Sequence, residues 1–113
     1  MNMAQSKTEL FDRDLGEMAG FLKALAHPAR LRILQFLAES KICITGDISD
    51  ELPLSRTTVN QHLTELKNAG LIQGHITGVK TNYCINPEKM KEVKELLTGF
   101  LEEIQSDEGI ECC

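Results

Sequence analysis

Four cysteines are the residues of this 113-residue chain with the clearest capacity for chemistry. Cys43 lies between two isoleucines, Cys84 follows a tyrosine, and Cys112 and Cys113 end the sequence. Thiolates bind soft metal ions and undergo redox exchange, so these residues can form a metal site or a reversible thiol pair. The first residues contain no apolar signal-peptide segment, which predicts a cytoplasmic protein. That compartment is reducing and favours free thiols or metal ligands over structural disulfides.

The charge distribution allows a second chemistry, nucleic-acid binding, although the net charge is −5. Residues 53–85 carry +2, whereas the remainder of the chain carries −7. A mildly basic segment within an acidic protein is compatible with DNA binding by that segment. We expect neither an enzyme nor a membrane protein, because the sequence contains no nucleophile–base arrangement, no phosphate loop and no run of about 18 apolar residues.

Apolar spacing predicts four helices in the first 70 residues. The first runs from Thr8 to the stop at His27-Pro28, with an apolar stripe formed by Phe11, Leu15, Met18, Leu22 and Leu25. The second, residues 28–40, places Leu31, Leu34 and Leu37 on one face. A short helix then starts at Thr45. Ser55 caps a longer helix that ends before Gly70 and turns Val59, Leu63 and Leu66 inward.

A hairpin and a final helix complete the predicted domain. The hairpin covers residues 71–85 with Thr77-Gly78 as its turn, and Asn86-Pro87 opens the last helix. The order α-α-α-α-β-β-α predicts a mainly α fold with a small β-hairpin, a winged helix-turn-helix. We expect one domain over residues 1–113, with flexible tails at residues 1–7 and 106–113.

The outward face of the long helix is suited to the major groove of DNA. We assign DNA contacts to residues that are small, polar or basic: Ser55, Arg56, Thr57, Thr58, Asn60, Gln61, His62 and Thr64, with Lys80 at the hairpin tip. For His62, a structural role or a phosphate contact is favoured over metal ligation. A winged helix used only for protein contact is the alternative for the whole segment. His27 is expected to help end the first helix, and His75 to be a solvated strand residue.

Three stretches of the chain resemble the arsenical-repressor (ArsR/SmtB) family. They read LKALAHPARLRILQFLAES, ISDELPLSRTTVNQHLTELKNAGLI and GVKTNYCIN, and the resemblance covers roughly residues 10–104. It implies a homodimer formed through the first and last helices. It also implies that this dimer binds an inverted repeat in double-stranded operator DNA without a cofactor and releases it on binding an inducer. Residues 55–69 would form the recognition helix and residues 71–85 the wing.

The same resemblance implies a thiol site for the inducer. Arsenic sensors in this family often carry two cysteines just before the turn; Cys43 matches the first, whereas Thr45 replaces the second. Trivalent arsenic binds about three sulfurs. We therefore predict a metal site of Cys43, Cys112 and Cys113 that takes trivalent arsenic or antimony, with the tail drawn from either subunit.

Several alternatives for the thiols stay open at this point. Cys43 can be a small buried apolar residue, Cys84 a structural strand residue, and the terminal pair can have no function. Within DNA binding, the alternative is a repressor that responds to thiol redox or persulfide chemistry through Cys43 and a tail cysteine.

Overall fold

The computed structural model describes residues 11–40, 48–78 and 80–105, without the side chains of Thr77 and Lys80. The elements are helix α1 (Arg13–Leu25), helix α2 (Pro28–Ser40), a 3₁₀ helix (Ile48–Glu51), helix α3 (Arg56–Asn68), strands β1 (Ile72–Thr77) and β2 (Lys80–Ile85), and helix α4 (Pro87–Ile104). This order confirms the winged helix-turn-helix fold. No described helix is long and apolar enough to cross a membrane. The expected tails fall outside the described residues.

Helix α1 begins later than its apolar stripe indicated. The Asp12 carboxylate accepts a hydrogen bond of 2.8 Å from the backbone N–H of Asp14 and so caps the helix. Phe11 therefore precedes the helix, and its predicted place in the helical stripe is wrong. The predicted start at Thr8 lies outside the described residues. Met18 is buried, whereas Leu15 and Leu22 point away from the core.

Helix α2 has the predicted bounds, but its buried face is shifted. Ala29, Ile33 and Leu37 follow one another at steps of four and are buried, whereas Leu31 is 50% exposed. The small side chain of Ala29 was the overlooked member of the stripe. Leu31 was therefore assigned to the wrong face.

The third helix is a single 3₁₀ turn rather than two α-helical turns over the described residues. The Leu52 N–H donates to the Ser49 carbonyl at 3.2 Å, an i to i+3 bond. Pro53 follows and has no N–H with which to continue the helix. The predicted start at Thr45 lies outside the described residues.

Helix α3 has the caps that its sequence predicts. The Ser55 hydroxyl accepts from the Thr58 N–H at 3.2 Å, and Gly70 follows the helix with φ +81°. The N–H groups of Gly70 and Leu71 donate to the carbonyls of Lys67 and Leu66, which is a Schellman ending. The left-handed backbone at Gly70 turns the chain directly into the wing.

The wing is the antiparallel pair of β1 and β2, in register from Ile72 opposite Ile85 to Thr77 opposite Lys80. Thr77 thus belongs to the strand, and the turn begins at Gly78, one residue later than predicted. Asn86 then joins the wing to α4. Its side chain accepts from the Lys89 N–H at 3.2 Å and donates to the Gly70 carbonyl at 3.1 Å. One amide therefore fixes the start of α4 against the end of α3.

One apolar core joins these elements. Its most deeply buried side chains are Ile33, Leu37, Val59, Leu66 and Leu71, contributed by α2, α3 and the start of the wing. Val93 on α4 and Ala24 on α1 extend this core. Helix α3 is thus held from one side along its whole length.

We predict that Leu66→Ala lowers the free energy of unfolding by about 2–5 kcal/mol, because it leaves a cavity where α3 meets the core. Urea unfolding followed by circular dichroism, at one fixed protein concentration, measures the loss. Leu31→Ala is the matched control and should cost about 0.5 kcal/mol. Equal losses in the two variants would contradict the assigned core.

Candidate nucleic-acid interface

Helix α3 has one buried side and one exposed side. Val59, Leu63 and Leu66 are 3% exposed or less, at the predicted spacing of i, i+4 and i+7. Because these side chains pack into the core, the residues between them face solvent. The helix therefore presents a fixed polar surface of about three turns.

The exposed side carries most of the residues predicted to contact DNA. Ser55, Arg56, Thr57, Asn60, Gln61 and Thr64 are exposed, and Thr58 is half-buried. The hydroxyls of Ser55 and Thr58 are 3.0 Å apart and hydrogen-bonded, and the Thr64 hydroxyl donates to the Asn60 carbonyl at 2.9 Å. The amides of Asn60 and Gln61 have the donor and acceptor pair that reads an adenine edge.

The wing stands beside this surface. The backbone of Lys80 pairs with Thr77 at the hairpin tip. The structure does not describe the Lys80 side chain, so the DNA contact of Lys80 stays a prediction. His75 on β1 is exposed, as expected for a solvated strand residue. Ile76 beside it is also exposed.

His62 does not belong to the exposed surface. Its side chain is buried, at 8% exposure, and its Nδ1 accepts from the Nε of Arg30 at 3.2 Å. The ring of His27 lies 4.3 Å away between centroids. Burial, and then the charges of His27 and Arg30, lower the pKa of His62 below its ordinary value. The burial of His62 contradicts its place among the DNA contacts and agrees with a structural role.

The sequence carries a signal for the role of His62 but none for that of Arg30. His62 lies three residues after Val59 and four before Leu66, which is the spacing of the buried stripe. Arg30 was missed altogether. Its guanidinium donates to the carbonyls of Lys23 and Ala24, at 3.4 and 3.1 Å, as well as to His62. No local pattern marks such a contact, since it depends on how three helices meet.

The metal site predicted from the sequence consists of three cysteines. Cys43, Cys112 and Cys113 lie outside the described residues. Within residues 11–40, 48–78 and 80–105, no three histidine, cysteine or acidic side chains are grouped closely enough to hold a metal ion. Cys84 is half-buried on β2 opposite Gln73, a position suited to a structural residue. The three-sulfur site stays a prediction.

Comparison with known proteins agrees with the winged helix-turn-helix fold. Residues 27–73 match the family model described as bacterial regulatory protein, arsR family. The chain is 33% identical over 105 residues to the cadmium resistance transcriptional regulatory protein CadC of Listeria innocua, covering 92% of this chain and 86% of CadC.

Two solved structures share the architecture. A possible transcriptional regulator for arsenical resistance is 28% identical with a TM-score of 0.64, covering 71% of this chain and 82% of that one. The homodimeric winged helix-turn-helix DNA-binding domain of a possible ArsR-family regulator from Mycobacterium bovis is 24% identical with a TM-score of 0.62. That match covers 99% of this chain and 100% of the other. The second likeness confirms the fold.

We predict that Arg56→Ala weakens binding to the operator about 5- to 150-fold, because a base or phosphate contact of an exposed arginine contributes about 1–3 kcal/mol. Fluorescence anisotropy with a labelled duplex of the upstream DNA measures the affinity. Arg32→Ala is the control; it removes the same charge from α2, where Arg32 pairs with Glu39 at 3.3 Å. Unchanged affinity of the Arg56 variant at physiological salt would contradict the contact.

Proposed function

This chain belongs to the arsR family of bacterial regulatory proteins, and we propose that it is a homodimeric repressor whose operator binding is ended by a thiophilic ion. As a family member it is a DNA-binding transcriptional regulator, not an enzyme. The observation that carries the proposal is the polar, exposed side of α3, held outward by the burial of Val59, Leu63 and Leu66. A helix presented in this way fits the major groove.

The exposed side chains divide by their chemistry. Asn60 and Gln61 read base edges, and Arg56, at the start of α3, contacts guanine or a phosphate. Ser55, Thr57, Thr58 and Thr64 contact phosphates or thymine methyl groups, and Lys80 contacts the backbone beside the wing. In a two-fold symmetric dimer, the operator is an inverted repeat with half-site centres about 34–36 Å apart, or a multiple of that distance.

A second copy of the chain is the proposed partner of α1 and α4. Each helix exposes leucine or isoleucine on the side away from the core: Leu15 and Leu22 on α1, and Leu101 and Ile104 on α4. Gly16 and Gly20 on α1 have no atom within 4 Å of where a Cβ would lie, so another helix can approach closely there. A joint apolar surface of this kind is typical of a dimer interface.

We predict that a Leu22→Lys, Leu101→Lys double variant is monomeric, because two charges would be buried in the interface. Analytical ultracentrifugation measures the change. Operator affinity should fall about 100-fold or more, since one half-site is then bound without the gain from linked binding. Leu31→Lys on α2 is the control for a charge at an exposed leucine and should stay dimeric. A dimer formed by the double variant would contradict the interface.

We propose Cys43, Cys112 and Cys113 as the ion site, with arsenite or antimonite as the inducer. Two features support this choice. Thiolates select soft ions, and the chain carries Cys43 before the helix-turn-helix and two further cysteines at its end. The relative CadC is named for cadmium resistance and a structural neighbour for arsenical resistance. An ion held jointly by the tail and by Cys43, which precedes the helix-turn-helix, binds the two states of the dimer unequally, as allostery requires.

We predict that arsenite releases the wild-type protein from operator DNA and that a dithiol chelator restores binding. Cys43→Ser and a Cys112→Ser, Cys113→Ser double variant should bind DNA with unchanged affinity and ignore arsenite. An electrophoretic mobility shift assay under reducing conditions, with arsenite, antimonite and cadmium in parallel, reads both effects. Cys84→Ser is the control and should respond like the wild type.

Three outcomes would contradict parts of this proposal. An arsenite response in the double tail variant would remove Cys112 and Cys113 from the site. Release by peroxide or polysulfide alone would favour a thiol redox or persulfide sensor. Absence of DNA binding at low salt would favour a winged helix that contacts only protein.

A further inference from the structure

One arginine joins three helices where the end of α1 meets the middle of α3. The Arg30 guanidinium on α2 donates to the Ala24 carbonyl at 3.1 Å and the Lys23 carbonyl at 3.4 Å, both in the last turn of α1. Its Nε donates to Nδ1 of His62 on α3 at 3.2 Å. The carbonyls at a helix C-terminus lack partners within the helix, so this side chain both closes α1 and holds α3.

His27 completes the cluster. Its Nδ1 accepts from the Ala29 N–H at 3.0 Å, which caps the start of α2. Its ring lies 4.3 Å from the His62 ring between centroids, tilted by 46°. Both imidazoles thus accept through Nδ1, and His62 can do so only while that nitrogen carries no proton. Protonation of His62 on Nδ1 removes the acceptor of the Arg30 hydrogen bond.

We propose that His27, Arg30 and His62 form a proton-sensitive lock that holds α3 in its DNA-reading position and weakens operator binding when it is protonated at mildly acidic pH. His62 acts as a positioning residue, because it is buried on the side of α3 opposite the DNA-reading surface. The proposal rests on the DNA-binding function proposed above and concerns what keeps that surface in place.

The surrounding charges make protonation disruptive. A proton on His62 Nδ1 would face the Arg30 guanidinium across a hydrogen-bond distance, beside a second imidazole. Of the other charged groups on α3 and on the elements packed beside it, Glu17 on α1 and Arg32 on α2 are half-buried. The rest are exposed: Arg13, Asp14 and Lys23 on α1, Glu39 on α2, Asp50 and Glu51 on the 3₁₀ helix, Arg56, Glu65 and Lys67 on α3, and His75 on β1. Among the described residues, the charges that shift the pKa of His62 are those of His27 and Arg30. We therefore expect the repulsion between protonated His62 and Arg30 to move α3 away from α2.

The direction of the pH effect follows from the lowered pKa of His62. A histidine whose pKa is lower in the folded protein than in the unfolded chain stabilises the native arrangement. This stabilisation is complete above about pH 6.5, the ordinary pKa of histidine. This contribution is lost as the pH falls through the lower native value. Added positive charge by itself would strengthen attraction to phosphate at acidic pH. A loss of affinity on acidification is therefore opposite to the general electrostatic effect.

The test measures operator affinity of the full chain at pH 7.5 and 5.5 by fluorescence anisotropy, at constant ionic strength, with reductant and without added metal. Wild-type affinity should fall by up to about tenfold, because one linked proton changes an equilibrium tenfold per pH unit between its pKa values in the open and native arrangements. His62→Asn places an amide oxygen where Nδ1 stood, so it keeps the Arg30 bond but cannot titrate. Its affinity should match the wild type at pH 7.5 and should not fall at pH 5.5.

Two further variants isolate the cluster. His27→Asn keeps the cap of α2, since Asn86-Pro87 forms the same kind of cap at α4, and it should reduce the acid loss. His75→Asn removes the exposed histidine of the wing and should retain the full loss. Wild-type affinity that is constant or rises at pH 5.5 would overturn the proposal. An unchanged acid loss in His62→Asn would overturn it as well.

A measurement without DNA separates this proposal from the function on which it rests. Absence of operator binding at pH 7.5 would contradict the proposed function. The lock is then tested by nuclear magnetic resonance of the imidazole nitrogens and by hydrogen exchange of the α3 amides. Nε2–H tautomers at pH 7.5, and faster α3 exchange at pH 5.5 in the wild type but not in His62→Asn, support the lock. Exchange that does not respond to pH overturns it.

Discussion

Burial of one side of α3 is the interaction on which the rest of the structure depends. Val59, Leu63 and Leu66 pack with Ile33 and Leu37 of α2, and this contact fixes the rotation of α3 about its axis. A rotation of about 100°, one residue of a helix, would bring leucine to the surface and bury amides. The apolar contact therefore determines which side chains can reach DNA, although none of its members touches DNA.

The polar contacts around α3 fix where its two ends lie and how it is joined to the neighbouring helices. Ser55 caps its start, the Schellman bonds end it at Gly70, and Asn86 ties that end to α4. Arg30 and His62 link it to the end of α1. Since α1 and α4 are also the helices with exposed apolar faces, the reading helix is connected through short polar contacts to the proposed dimer interface. A change at that interface has a direct physical route to α3.

Local signals predicted much of this architecture. Pro28, Ser55, Gly70 and Asn86-Pro87 act within one or two turns of where they stand, so helix boundaries near them were predictable. The exposed side of α3 was also predictable, because three apolar residues at helical spacing determine it. The errors involve weaker or tertiary signals. Asp12 caps α1 after Phe11, the first residue of the predicted stripe, and the small Ala29 takes the place of Leu31 in the core. His62 was listed among the DNA contacts because its partner Arg30 lies 32 residues away.

The most direct test of this account is to ask which side chain lies against the bases. A photo-crosslinking residue replaces Gln61, at the centre of the exposed side of α3, and in a second variant it replaces the exposed Ala38 on α2. The protein is irradiated on its operator, and the crosslinked nucleotides are mapped. The account predicts crosslinks from position 61 to bases in both half-sites and none from position 38. Crosslinks from position 38 alone, in a protein that binds the operator, would contradict the assignment of α3 as the reading helix.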